Sequence, residues 1–381
     1  MGRPHDSILS KTMTNLLPLI VLFMLTTAMS VMAQGSRFAV QFFGTGTGQI
    51  DRIKIPLATS PLLNVGGDFT LEFWLRATYA ENTGTVSTGQ NGDGWITGNI
   101  ILDRDVYGGG DYGDFGVALG RSSGRSVLAF GVHNGSWGET LVGTKHVGDG
   151  AWHHVAVTRQ QASGLMRIVV DGKSDAQGTG PTGNVSYRVG RSTSWPKSDP
   201  FLVLGAEKHD AGSEYPSLKG SVDELRIWSR VLSTNELLAI SDRIVPPSSA
   251  LGLVAWFRLE EGAGQPLRDS ASGYTGTLYS AKSGNGAWTS WLAGNQAAPI
   301  QPYQPTLTTH IVSNQTLAIT WFAPQNIQFT LESTETLLPP IPWAPLAGAT
   351  NLTASDSNLT VRVDTRAANA KFFRAAGTPY R

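Results

Sequence analysis

Phe69-Thr-Leu-Glu-Phe-Trp-Leu-Arg76 decides the fold class. Phe69, Leu71, Phe73 and Leu75 alternate with Thr70, Glu72, Trp74 and Arg76, and a period of two sends the first set to one face of a strand and the second to the other. Runs of the same kind recur at Phe115–Leu119, Val127–His133, His153–Arg159, Met166–Asp171, Phe201–Leu204 and Val222–Trp228. Clusters of Gly, Asn, Asp and Ser separate them, and Asp171-Gly172 is a two-residue hairpin signal because both residues accept positive φ. Strands that succeed one another without helices between them cannot make parallel crossovers. The expected architecture is therefore all-β, with antiparallel sheets stacked as a sandwich. One short helix is expected, because Ser233-Thr-Asn-Glu236 is a capping box ahead of Leu237, Leu238 and Ile240, and Pro246-Pro247 must stop it.

Composition agrees with this reading. The chain of 381 residues holds 44 glycines and 20 prolines, enough for many tight turns. Lys+Arg and Asp+Glu are balanced at 29 each, with no run of like charge, so nothing in the sequence would hold a nucleic-acid backbone. At the N-terminus Arg3 and Lys11 precede the apolar run Leu16–Leu25, and Val31-Met32-Ala33 gives a small-residue cleavage pattern. Residues 1–33 are expected to be a signal peptide. The rival, a transmembrane anchor, needs about 20 apolar residues, and Pro18, Thr26, Thr27 and Ser30 interrupt the stretch. Secretion, or export to the cell surface or periplasm, follows. The chain has no cysteine, so the exported protein must be held by its core alone.

Toward the C-terminus, Leu253–Leu259 is again a strand, followed by a turn-rich stretch to Tyr279. Pro299, Pro302 and Pro305 mark residues 297–305 as a semi-rigid linker. Beyond it, Leu317–Trp321, Phe329–Ser333, Leu359–Val363 and Lys371–Arg374 indicate a small second β-sandwich over 306–381.

Four segments of the main domain, Phe69–Arg76, Gly150-Ala-Trp-His-His-Val-Ala-Val-Thr158, Ile168-Val-Val-Asp-Gly-Lys173 and Lys219-Gly-Ser-Val-Asp-Glu-Leu-Arg-Ile-Trp-Ser-Arg-Val-Leu232, occur in one order and spacing. On these the chain resembles the laminin-G-like jelly-roll family, within the concanavalin-A-like lectins and glucanases. The resemblance implies a two-sheet jelly roll over residues 34–296. Leu251–Gly264 and its continuation to Leu278 are similar to the segment that usually opens such a domain, but here they follow it. Residues 250–280 are expected to pair back as a permuted strand segment, the alternative being the stump of a second repeat. A lone strand with Leu253, Ala255, Phe257 and Leu259 on one face would leave apolar surface exposed. The C-terminal segment resembles fibronectin-type-III-like modules.

The chemistry of a hydrolase is not spelled out. Gly120-Arg-Ser-Ser-Gly124 fits a nucleophile elbow, yet strands flank it on both sides where the elbow needs a following helix, so it reads as a hairpin turn. A glucanase of this fold would carry paired carboxylates in a Glu-x-Asp-x-x-Glu run, which the sequence lacks. His153 and His154 face opposite ways on one strand, with no partner carboxylate assigned to either. Calcium has two candidate sites. Asp103, Asp105, Gly108, Asp111 and Asp114 fall at positions of an EF-hand-like count, although Asp114 replaces the bidentate Glu and strands flank the loop. By the resemblance, Asp223 in the closing strand is the second, with Asp51 as its partner. Trp95, Trp137 and Trp195 lie in polar, Gly-rich turns, where an indole can stack on a sugar ring while Asp, Asn and His bond hydroxyls. The expected function is a secreted non-catalytic module binding a polysaccharide, a cell-surface glycan or an extracellular protein. The alternatives are a polysaccharide-degrading enzyme or its accessory module, and an adhesion scaffold. Asn134, Asn184, Asn314, Asn351 and Asn358 head Asn-x-Ser/Thr triplets that matter only in a glycosylating host.

Overall fold

The computed structural model describes residues 37–44, 50–104, 114–186, 201–208, 212, 214–244, 251–279, 291–293, 296–300, 307–313, 316–323, 327–354, 357–364 and 372–379. The proposed signal peptide lies outside them. Two compact units are present, one built on described residues 37–300 and the other on 307–379.

The first unit contains β1 (Phe38–Phe43), β2 (Arg52–Pro56), β3 (Phe69–Thr78), β4 (Asn99–Asp103), β5 (Asp114–Ser122), β6 (Arg125–His133) and β7 (Gly138–Val142). It continues with β8 (Asp149–Arg159), β9 (Leu165–Val170), β10 (Lys173–Thr179), β11 (Phe201–Leu204), β12 (Lys219–Trp228) and the helix α1 (Thr234–Ile240). Four more strands close it: β13 (Leu253–Phe257), β14 (Pro266–Arg268), β15 (Thr275–Tyr279) and β16 (Trp291–Ala293). One sheet runs β10-β9-β8-β3-β12-β1-β16, with β13 also on β12; the other runs β14-β15-β2-β11-β4-β5-β6-β7. Every strand pairing is antiparallel. The alternation read from sequence fills the space between the sheets. Leu71, Phe73 and Leu75 of β3 meet Phe115, Val117 and Leu119 of β5 and Leu128 and Phe130 of β6 in one buried cluster.

The segment after α1 belongs to this sandwich. Ala255 and Phe257 of β13 pair with Ile227 and Leu225, while Thr277 and Leu278 of β15 pair with Lys54 and Ile53. One segment thus extends both sheets, and Ala255, Phe257, Leu259, Leu267 and Leu278 enter the common core. The turns follow their side-chain chemistry. Ser123 and Gly124 join β5 to β6 at φ 50° and 76°, and Asp171 and Gly172 join β9 to β10 at φ 50° and 71°. The elbow-like Gly120–Gly124 is therefore a hairpin end.

The outer face of the first sheet is closed by α1 and the residues after it. Ser233 caps the helix in a complete capping box with Glu236, and Leu237 packs with Trp228, Leu232, Ala156 and Val169. Trp74 Nε1 donates to Ser241 O at 2.8 Å, and Arg226 donates to Ile240 O and Arg243 O at 3.0 and 2.7 Å. The proline-rich stretch starts later than its composition indicates. Ala297, Ala298 and Ile300 are buried, and Ala298 N donates to Asp223 Oδ2 at 3.1 Å, so residues 297–300 are core of the first unit and not linker.

The second unit contains β17 (Thr308–Ser313), β18 (Thr316–Ala323), β19 (Ile327–Thr334), β20 (Ala344–Pro345), β21 (Leu352–Thr353), β22 (Ser357–Asp364) and β23 (Phe372–Pro379). One sheet is β17-β18-β22; in the other β19 pairs with β20, β21 and β23. Trp321 and Phe329 meet edge to face, centroids 5.9 Å apart, in its core.

Candidate functional site

The outer face of the second sheet is largely made of small side chains where β5 and β6 cross it. Gly116, Ala118 and Gly120 alternate with the core residues of β5, and Ala129 and Gly131 do so on β6. The chain between β3 and β4 lies over this floor. A Cβ at Gly131 would stand 1.9 Å from the Trp95 ring and one at Gly116 would stand 2.1 Å from it, so the indole rests directly on glycine backbone. Trp95 is only 2% exposed and forms a small core with Val86, Ile100, Ala118, Val127 and Ala129. It is a packing residue, which corrects its assignment as a ligand contact. The hydrophobic gain of covering the floor outweighs the polar character of the turn that carries it.

Trp137 is the opposite case. It is 43% exposed, on the turn from β6 to β7, and its backbone is tied down. Asn134 Oδ1 accepts from Ser136 N at 3.0 Å and Trp137 N at 3.2 Å, while Asn134 N donates to Trp137 O at 3.1 Å. The Asn side chain imitates a backbone turn. The neighbouring 89–92 segment is stitched to β7. Gly138 N donates to Asn91 Oδ1 at 3.2 Å, Thr140 Oγ1 to Gly92 O at 2.8 Å, and Gly89 N to Glu139 Oε1 at 2.9 Å. His133 closes the group. Burial holds its imidazole below the ordinary pKa against the pull of the Asp93 carboxylate, and Nδ1 accepts Gly135 N–H at 2.9 Å. An exposed indole on a rigid turn thus stands among an imidazole, a carboxylate and two amides. Trp195, the third aromatic candidate, lies outside the described residues.

The calcium candidates do not converge. Asp51 Oδ2 accepts Phe43 N at 3.1 Å, whereas Asp223 accepts Glu224 N and Ala298 N. Phe43, whose N–H Asp51 accepts, is opposite Lys219, whereas Val222, the neighbour of Asp223, is opposite Val40, three residues further along β1. The Asp51–Asp223 pairing is corrected accordingly. Asp103 is fully buried at the end of β4 and accepts Lys208 N, while Asp114 opens β5 opposite His133. β4 and β5 are a paired hairpin, so helices do not frame the loop between them as they do in an EF-hand. Asp105 and Asp111 lie outside the described residues. Among the described residues no group of three or more His, Asp or Glu is arranged to hold a metal ion.

Both histidines have carboxylate partners that periodicity did not reveal. His154 Nε2 lies 2.8 Å from Glu72 Oε2 on the covered outer face, and Trp228 Nε1 donates to Glu72 Oε1 at 2.9 Å. Burial would raise the Glu72 carboxyl, but Arg226, His154 and Trp228 together hold it below the usual range. Glu224, at φ 52° in a bulge of β12, accepts Trp256 Nε1 at 2.6 Å and Arg226 at 3.2 Å. Glu72 and Glu224 are both buried beside Arg226, which donates to carbonyls of α1 and its following turn. His153 lies between Asp171 at 2.9 Å and Asp149 at 3.1 Å, and Lys145 also reaches Asp171. These partners come from the hairpin turn at Asp171 and the start of β8, contacts that strand pairing creates.

The family model of the concanavalin A-like lectin/glucanases superfamily matches residues 47–238, just over half of the chain. The chain belongs to this superfamily. Sushi, von Willebrand factor type A, EGF and pentraxin domain-containing protein 1 of Rattus norvegicus is 29% identical over 138 residues, 35% of this chain and 4% of that protein. Neuronal pentraxin-2 of Homo sapiens is 31% identical over 99 residues, 25% of this chain and 21% of that protein. The chain thus spans a small part of the length of these relatives. Among solved structures, the heptameric SAP-like pentraxin of Limulus polyphemus has 16% identity and a TM-score of 0.37, over 54% of this chain and 82% of that one. The CBM40 of the Ruminococcus gnavus IT-sialidase, bound to α2,3 sialyllactose, has 14% identity and a TM-score of 0.36, over 53% and 95%. The matched segment ends within α1, so β13 to β15 lie beyond it.

Proposed function

We propose that the protein is an exported, non-catalytic module that binds a glycan through the Trp137 turn. The observation that carries this reading is the exposed indole on a turn fixed by three backbone and side-chain bonds, flanked by His133, Asp93 and Asn91. A flat apolar ring held without conformational freedom loses little entropy when a pyranose stacks on it, and the polar neighbours supply hydroxyl partners. The burial of Glu72 and Glu224 supports binding without cleavage. Export rests on the N-terminal sequence, with Arg3 and Lys11 ahead of Leu16–Leu25 and the small-residue pattern at Ala33. The second unit acts in this reading as a fibronectin-type-III-like spacer. The segment from Asp103 to Asp114 stays the calcium candidate on its carboxylate spacing, and a thermal melt unchanged between calcium and chelator would reject it. The binding reading is tested by migration of the full chain through gels loaded with soluble polysaccharides, with sugar release assayed in parallel. Retardation by at least one polysaccharide, without release of product and lost in Trp137→Ala, is the expected result. Release of reducing ends would instead mark an enzyme.

A further inference from the structure

The Trp137 turn contains the parts of a reaction. Asn134 is followed by Gly135, which has no side chain to hinder attack and sits at φ 86° on the surface. The Gly135 N–H, the nucleophile in cyclisation of an Asn-Gly pair, donates to His133 Nδ1 at 2.9 Å. The Asn134 Oδ1, on which negative charge would develop, accepts two backbone N–H groups, from Ser136 at 3.0 Å and Trp137 at 3.2 Å. A base on the nucleophile and paired donors on the electrophile's oxygen are the two arrangements that speed acyl transfer. The chain carries its own comparison. Asn91-Gly92 is also an Asn-Gly pair, but Gly92 N donates to Gly89 O at 3.0 Å, a carbonyl that cannot take its proton, and Asn91 Oδ1 accepts one N–H, from Gly138.

We propose that Asn134 is a self-modifying site, converted through a succinimide to aspartate and isoaspartate with His133 as the base. Gly135 N gives its proton to His133 Nδ1 and bonds to Asn134 Cγ. The resulting oxyanion on Oδ1 is held by the Ser136 and Trp137 N–H groups. It collapses with cleavage of the Cγ–Nδ2 bond, and the leaving nitrogen takes the proton back from His133 to depart as ammonia. Water then opens either carbonyl of the five-membered imide. The net change consumes one water and releases one ammonia, with no redox step. The product places a carboxylate, and in the isoaspartyl form an extra backbone carbon, in the turn that presents Trp137. A consequent change in glycan binding rests on the proposed function; the conversion itself does not.

The test uses the full chain made in a host that does not glycosylate, incubated in neutral buffer and followed by peptide mapping with isoaspartate detection at residues 134 and 91. Asn134 is expected to convert severalfold faster than Asn91, and His133→Gln to slow Asn134 to the pace of Asn91 while leaving Asn91 unchanged. A second arm needs no variant. In urea the two sites should converge, with Asn134 slower than in the folded chain. Equal rates in the folded chain, a fast Asn134 in His133→Gln, or an Asn134 that speeds up on unfolding would each overturn the proposal.

Discussion

Two tryptophans in similar sequence settings have opposite fates, and the difference lies in the strands beneath them. Trp95 and Trp137 both sit in Gly-rich polar turns, so their neighbours in sequence do not separate them. What separates them is the spacing of Gly116, Ala118 and Gly120, and of Ala129 and Gly131, which leaves a floor one indole can cover. That signal was legible, since period-two small residues mark where something packs on a sheet face, but which loop would cover the floor depends on tertiary placement. Trp95→Ala is expected to cost about 3–5 kcal/mol by the usual scale for a buried aromatic, and Trp137→Ala to leave the melt within about 0.5 kcal/mol. Chemical denaturation of both variants checks the contrast. His153 gives a pH prediction. Asp171 and, against burial, Asp149 raise its pKa above the ordinary imidazole value. Its stabilising effect is thus complete below about pH 6.5 and fades as pH rises through the raised value. Melts of the protein and of His153→Gln should differ most on the acidic side and converge in alkali; a gap that widens with pH would refute the assignment.

At the scale of elements, β3, β5, β6, β8, β9, β11, β12 and α1 were all legible, because alternation, hairpin residues and the capping box are local signals. The partners of β13 and β15 were not local. Their pairing with β12 and β2 joins residues far apart in sequence, and only apolar alternation, with the likeness to an opening segment, indicated that they must be buried somewhere. The polar network on the outer face of the first sheet was also hidden, since Glu72, His154, Arg226 and Trp228 come from three strands. The helix above that network depends on its cap. Ser233→Ala removes the acceptor for Glu236 N and should cost about 1 kcal/mol, with earlier hydrogen exchange at α1. An unchanged exchange pattern would show that tertiary contacts alone hold the helix.

For the molecule as a whole, the balanced charge argues against a nucleic-acid partner, and the structure adds a division into two units. Limited proteolysis should cut between residues 300 and 307 and yield a stable fragment that still contains residues 251–279, whose strands lie in both sheets. Release of 251–279 as a separate piece would contradict the pairing described. Among the described residues, no helix is long and apolar enough to cross a membrane. The central proposal is that this concanavalin A-like sandwich binds sugar through the exposed Trp137 indole. Its most direct test is an array of diverse glycans and extracellular proteins probed with the full chain and with Trp137→Ala, after matched melts have shown both to be folded. The account predicts a glycan signal for the protein that Trp137→Ala loses by at least tenfold, about 1.4 kcal/mol. A glycan signal that Trp137→Ala retains, or signal from proteins alone, would contradict it.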